Sequence, residues 1–192
     1  MGALVVVFGL AIFMTRSSKD ATEGTSVRQT GTVSVAGRAL PPLPERGADT
    51  AVGRIAPTVS GADFKGDPVA IENDGRAKVV MFLAHWCPHC QAEVPVVQSW
   101  LAQNGAPAGV DLYSVSTGVD PSLPNYPPSQ WLAREGWSVP VIADNAGDGT
   151  ADAFGVNGFP FFVFVNSDGT VAARASGEIP IDQLTSSIRA LR

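Results

Sequence analysis

Cysteine is almost missing from this sequence, with only Cys87 and Cys90 among 192 residues, and histidine is equally scarce, with only His85 and His89. These scarcities exclude several kinds of site. A structural zinc centre needs four ligands in a tetrahedron, and with no second CxxC and no distant histidine one short segment would have to supply them all. Covalent haem attachment needs a histidine directly after the second cysteine, where Gln91 stands. A purely structural disulfide is a weak reading, because a two-residue loop restrains the unfolded chain far less than a long one.

Charge is sparse as well. Charged residues make up 16% of the chain, the formal net charge is −5, and lysines and arginines do not cluster. The electrostatic footprint of nucleic-acid binding is therefore lacking, and no nucleic-acid partner is expected. The composition, 45% hydrophobic, suits one ordinary globular domain with tails, and no internal repeat is visible.

A long hydrophobic run is lacking too. Residues 1–14 are almost wholly apolar (Leu4, Val5, Val6, Val7, Phe8, Leu10, Ala11, Ile12, Phe13), yet shorter than the roughly 20 residues of a spanning helix. No charged segment precedes them, no A-x-A site follows, and no nearby cysteine offers a lipid attachment point. Arg16 and Lys19 lie on the C-terminal side, where the positive-inside rule would keep them cytoplasmic. The run is read as an uncleaved anchor whose natural start lies upstream; if it is cleaved, the domain is secreted. Residues 15–55, rich in Ser, Thr, Gly, Ala and Arg with Pro41-Pro42-Leu43-Pro44, are expected to form a flexible tether. The folded domain is then 56–192.

Against these absences stands the stretch Trp86-Cys87-Pro88-His89-Cys90. The apolar run Val79–Ala84 before it predicts a strand, and Gln91 to about Gln103 after it predicts a helix. A strand feeding a CxxC at a helix start reads as a redox motif. The helix N-terminus favours the Cys87 thiolate, and Cys90 lies close enough to close a disulfide with it.

The rest of the chain alternates between strand and helix patterns. Short strands are expected at Val59–Phe64 and Val69–Glu72, and a buried strand at Lys78–Ala84. The helix carries Val94, Val97, Trp100 and Leu101 on one side, and Pro95 should kink it. A strand at Val110–Ser116 leads into the Pro-rich connection 117–129, which is either a functional rim or an inert loop. A short helix at Gln130–Glu135, a strand at Pro140–Ala143 and a helix at Thr150–Phe154 capped by Gly155 follow. Phe161–Val165 and Val171–Ala175 flank Asn166-Ser167-Asp168-Gly169-Thr170 as a hairpin, and Ile181, Leu184, Ile188 and Leu191 mark a closing amphipathic helix.

This α/β element order, with a central mixed sheet flanked by helices, is that of a thioredoxin fold. From Pro57 to Leu191 the chain resembles the extracytoplasmic thioredoxin-like family that includes TlpA and ResA. The features shared are Ala84-His85-Trp86-Cys87-Pro88-His89-Cys90, Glu93, Pro95, Pro140-Val141-Ile142-Ala143-Asp144, Gly158-Phe159-Pro160 and Asn166-Ser167-Asp168-Gly169. The resemblance implies a cis Pro160 facing the disulfide, Phe159 presenting backbone groups to a substrate strand, and Trp86 as the aromatic beside the site. It also makes Glu93 an active-site carboxylate, a general base for Cys90, although a solvated helix carboxylate would look the same. In one respect the chain departs from cytoplasmic thioredoxins: Met81 stands where they bury an aspartate.

The Pro88-His89 dipeptide matches the CPHC site of DsbA-type oxidants. A histidine there is expected to donate a hydrogen bond or positive charge to the Cys87 thiolate, and stabilising the reduced form makes the disulfide a better oxidant. The implied function is thiol–disulfide exchange with extracytoplasmic protein thiols or disulfides, served by a membrane redox partner and needing no cofactor or metal. Cys87 would form the mixed disulfide and Cys90 resolve it. A reductant of apocytochrome c or of another reducing pathway is the alternative. A thioredoxin-like binding or copper-handling module is a third reading, but the CxxxC spacing and distant histidine of copper-handling relatives do not occur. The peroxiredoxin pattern is missing too, since Ala84 replaces its Thr or Ser.

Overall fold

The computed structural model describes Gly2 and residues 27–192. The expected anchor, apart from Gly2, and the tether up to residue 26 lie outside the described residues. Strands form at Ser34–Ala36 (β1), Thr58–Ala62 (β2), Pro68–Ile71 (β3), Ala77–Leu83 (β4), Val110–Ser116 (β5), Val141–Ala143 (β6), Phe161–Val165 (β7) and Val171–Ser176 (β8). Helices are Pro88–Asn104 (α1), Pro128–Arg134 (α2), Gly149–Phe154 (α3) and Ile181–Arg189 (α4).

The unbroken apolar run makes β4 a strand buried at every position. Its one charged residue, Lys78, is buried with its ammonium on the Asp74 carboxylate and 2.8 Å from the Arg76 carbonyl. Side chains alternate across the strand. Val80 and Phe82 pack with Val115, Ile142, Phe154 and Phe161 on one face, whereas Val79 and Met81 meet Val97 and Leu101 of α1 and Leu184 and Ile188 of α4 on the other. Proline at the first position of α1 needs no hydrogen-bond partner there, and the helix runs on through Pro95 to Gly105.

The main sheet has the order β6-β5-β4-β7-β8, with β4–β5 and β5–β6 parallel and β4–β7 and β7–β8 antiparallel. Leu83 lies opposite Ser116, Ser116 opposite Ala143, and Phe82 opposite Phe161. The chain therefore leaves β4, β5 and β6 and enters β7 at the same sheet edge. That register brings Cys87, Gly118, Asp144 and Pro160 together from four separate segments.

The tether expectation fails for residues 27–55. This arm is packed onto the domain: β1 pairs antiparallel with β2, and Leu40 and Ala51 are buried in the core. Its partners are mostly backbone groups, which composition cannot reveal: Gly31 N–H donates to the Asp144 carbonyl at 2.9 Å and Leu40 N–H to the Ala153 carbonyl at 2.8 Å. Gly155 closes α3 with φ 68°, a left-handed geometry, and a Cβ there would strike the Pro41 carbonyl. The strongest fastening is ionic. The fully buried Arg174 guanidinium donates to both oxygens of Asp49, at 2.9 and 2.6 Å, and to the Pro41 and Phe154 carbonyls at 2.8 and 2.9 Å.

Replacing Asp49 by Ala leaves that guanidinium buried without a counter-charge and should cost about 3 kcal/mol in urea unfolding. The hydrogen bonds from Arg174 hold the Asp49 carboxyl below its ordinary 3.8. Because the folded-state value is depressed, this stabilisation is complete at neutral pH and is lost as the pH falls below that value. The difference between wild type and variant should accordingly shrink in strong acid, and a variant as stable as wild type at pH 7 would contradict the role given to the pair.

Candidate active site

Cys87 is the residue at which the strand conformation ends and α1 begins, with φ −74° and ψ 120°. Its carbonyl accepts the Gln91 N–H at 3.1 Å, and no acidic side chain lies in the first helical turn to oppose the dipole. Both thiols are free. Cys87 is 6% exposed and its Sγ–H donates to the Phe159 carbonyl at 3.4 Å, whereas Cys90 has no exposure. Burial is the main cause that drives the Cys90 thiol far above its usual range, and the neighbouring Cys87 and Glu93 add to it. Phe64, Leu83, Val94, Trp131 and Leu132 form the apolar surround of both cysteines.

Glu93, on the inner face of α1, is 4% exposed and its Oε1 has no hydrogen-bond partner. Burial raises its carboxyl to about 7; the Ile179 backbone opposes the rise and the charge of Glu178 adds to it. A solvated helix carboxylate, the second of the two expectations, is therefore not what the fold holds. Pro88 and His89 are exposed at the start of α1. His89 departs from expectation. Instead of donating to Cys87, its Nδ1 lies 2.6 Å from Glu178 Oε1, a partner 89 positions away that local reading of the motif could not supply.

The Phe159–Pro160 bond is cis, and Pro160 is buried beside the half-exposed Phe159. Trp86 meets the Phe159 ring edge-on with centroids 6.0 Å apart, and its Nε1–H donates to the Gly118 carbonyl at 2.7 Å. The eight site residues named from the sequence thus gather at one edge. Three features escaped the sequence reading: Glu178, the buried role of His85, and a polar network behind the site. In that network Asp144 accepts N–H groups from Asn145, Thr150 and Ala151, and the Thr117 hydroxyl lies between Asp144 and Asp148, 3.0 and 2.9 Å away. Among the described residues, no three His, Cys, Asp or Glu side chains are grouped to hold a metal ion.

A family model described as Redoxin matches residues 51–189. No curated protein matches the chain. Similar solved structures include a secreted disulfide oxidoreductase of Mycobacterium tuberculosis homologous to E. coli DsbE, at 23% identity and TM-score 0.58, covering 69% of this chain and 95% of that one. MTB DsbF is 29% identical with TM-score 0.57, covering 69% and 94%. StoA from Bacillus subtilis is 19% identical with TM-score 0.57, covering 68% and 95%. The fold is thioredoxin-like.

Two measurements test this geometry. Iodoacetamide should modify Cys87 of the reduced protein at least about tenfold faster than Cys90, since the buried thiol is neither accessible nor ionised; equal rates would refute the assigned roles. Between pH 4.5, the ordinary carboxyl value, and about 7, folded Glu93 holds a proton that the unfolded chain has released. Stability should therefore fall as the pH rises through that window, by about 3 kcal/mol in all. Glu93→Gln removes this term, so the variant should gain on wild type from pH 4.5 to 7 and keep its lead above; a gap independent of pH would contradict the buried carboxyl.

Proposed function

Because the chain belongs to the Redoxin family, we propose that this thiol–disulfide oxidoreductase is of the TlpA/ResA type and exchanges disulfides with extracytoplasmic polypeptides through Cys87 and Cys90, in the oxidising sense. The observation that carries the reading is the asymmetry of the two thiols: Cys87 caps the helix start, slightly exposed and hydrogen-bonded to the Phe159 carbonyl, and Cys90 is sealed behind it.

In the oxidising sense, a substrate thiolate attacks Sγ of Cys87 in the Cys87–Cys90 disulfide. The Cys87–Cys90 bond breaks, a substrate–Cys87 disulfide forms, and Cys90 leaves with the electron pair. A second substrate thiolate then attacks the substrate sulfur, releasing Cys87 as thiolate. The substrate has lost two electrons and the protein is a dithiol. Cys90 is a poor leaving group unless it is protonated on departure, and Glu93, with a value of about 7, holds a proton part of the time at neutral pH. In the reverse sense the same carboxylate takes the proton from Cys90.

The Pro88-His89 dipeptide supports the oxidising sense by placing an imidazole at the same helix start as Cys87. A reducing role is the second reading, favoured by the 2.6 Å pairing of His89 with Glu178, which engages the imidazole with a carboxylate instead of the sulfur. The apolar run at 1–14 and the secreted character of the similar M. tuberculosis oxidoreductase support an extracytoplasmic location, with an N-terminal membrane attachment and a membrane redox partner. Among the described residues no helix is long and apolar enough to cross a membrane.

Equilibration with glutathione measures the potential. Wild type should lie on the oxidising side of thioredoxin's value of about −270 mV, toward the DsbA value of about −120 mV. His89→Ala should shift it toward thioredoxin by about 30 mV for each tenfold loss of thiolate stabilisation, and Glu178→Ala, which frees His89, should shift it the other way. A wild-type potential at or below thioredoxin's, unmoved by His89→Ala, would reverse the direction in favour of the reductant.

A further inference from the structure

We infer that His85 is a positioning residue for the exchange reaction: as a neutral imidazole protonated on Nδ1, it fastens the loop 117–127 as a fixed wall beside Cys87, along which a polypeptide substrate is laid. The inference rests on the disulfide-exchange reading of the site.

His85 lies two residues before Cys87, in the turn from β4 to α1, and is fully buried. Its Nδ1 is 2.7 Å from the Pro124 carbonyl, which only accepts, so Nδ1 carries a hydrogen. Its Nε2 is 3.3 Å from the Asp120 backbone N–H, which only donates, so Nε2 presents a lone pair. A single ring in one tautomer thus ties both ends of the 120–124 turn. The ring also meets Tyr126 edge-on, with centroids 5.9 Å apart.

The base of the loop is held independently: the Gly118 carbonyl by Trp86 at 2.7 Å, and the Gly118 N–H by Asp148 at 2.7 Å. Beyond it, Arg134 donates to the Asn125 side chain at 3.2 Å. Between these points the tip has bonds of its own making, Leu123 N–H to the Asp120 carbonyl and Ser122 to the Asp120 carboxylate. Among the described residues, His85 supplies the side-chain hydrogen bonds that reach 119–124 from outside the loop.

The loop adjoins the reacting sulfur. A Cβ on Gly118 would sit 3.7 Å from the Phe159 ring, and the Phe159 carbonyl is the group 3.4 Å from Cys87 Sγ. Leu123 and Tyr126 remain exposed at the tip. An apolar ring of similar size at position 85 would remove both hydrogen bonds, releasing the turn without touching the sheet. A wall already ordered spares a polypeptide the entropy of ordering it, whereas a small thiol never meets it.

The test follows tryptophan fluorescence while the disulfide form is reduced by dithiothreitol or by a short peptide carrying two cysteines. For His85→Phe, the dithiothreitol rate should stay within about twofold of wild type while the peptide's half-saturation concentration rises roughly tenfold at an unchanged maximal rate. His85→Gln, whose amide offers one donor and one acceptor, should recover part of the loss. Nitrogen NMR of the wild type, where only two histidines contribute, should show His85 protonated on Nδ1 alone. Equal loss with both reductants, no loss with either, or an Nε2-protonated ring would overturn the proposal. The NMR arm stands even if His85→Phe does not fold. A wild type that fails to react with dithiothreitol would instead defeat the exchange reading itself.

Discussion

Burial of β4 on both faces is the constraint from which the rest of the molecule follows. A strand with no solvent-facing side must be paired on both edges and covered on both surfaces, and this one is paired by β5 and β7. Helices α1 and α4 cover one surface, and α3 with the small β1-β2-β3 sheet covers the other. Parallel neighbours on one side and an antiparallel neighbour on the other bring strand ends and a strand start to a common edge. The cysteines lie where they do because β4 ends there.

At that edge, desolvation does more than any single partner. It pushes both Cys90 and Glu93 toward their neutral forms. A buried thiol and a buried acid thus lie together on the inner face of α1, behind Cys87. The exposed pair His89–Glu178 lies in front, where water screens it.

Much of this was readable from local pattern. The unbroken run of β4, the Asn166–Thr170 turn and the spacing of Leu184 and Ile188 each encode one element through neighbours a few residues apart, and the CxxC with its flanks marked the site. What escaped local reading depends on pairs far apart in sequence. Asp49 and Arg174 are 125 positions apart, His89 and Glu178 are 89, and His85 meets Pro124 across 39. The arm 27–55 reads as polar and flexible because its own composition buries little; its order comes from groups supplied by the rest of the chain. His85 offered no signal beyond its rarity, since a buried imidazole and a solvent-facing one look alike in sequence.

The arm has a further consequence for what counts as one unit. The family match starts at residue 51, but β1 lies upstream of it and covers the outer side of β2. A chain cut at that limit would bare the N–H and C=O groups along β2, an unpaired strand edge of the kind that recruits other chains. The packed unit therefore begins well before the stretch that the family model matches, because the arm is what closes that edge.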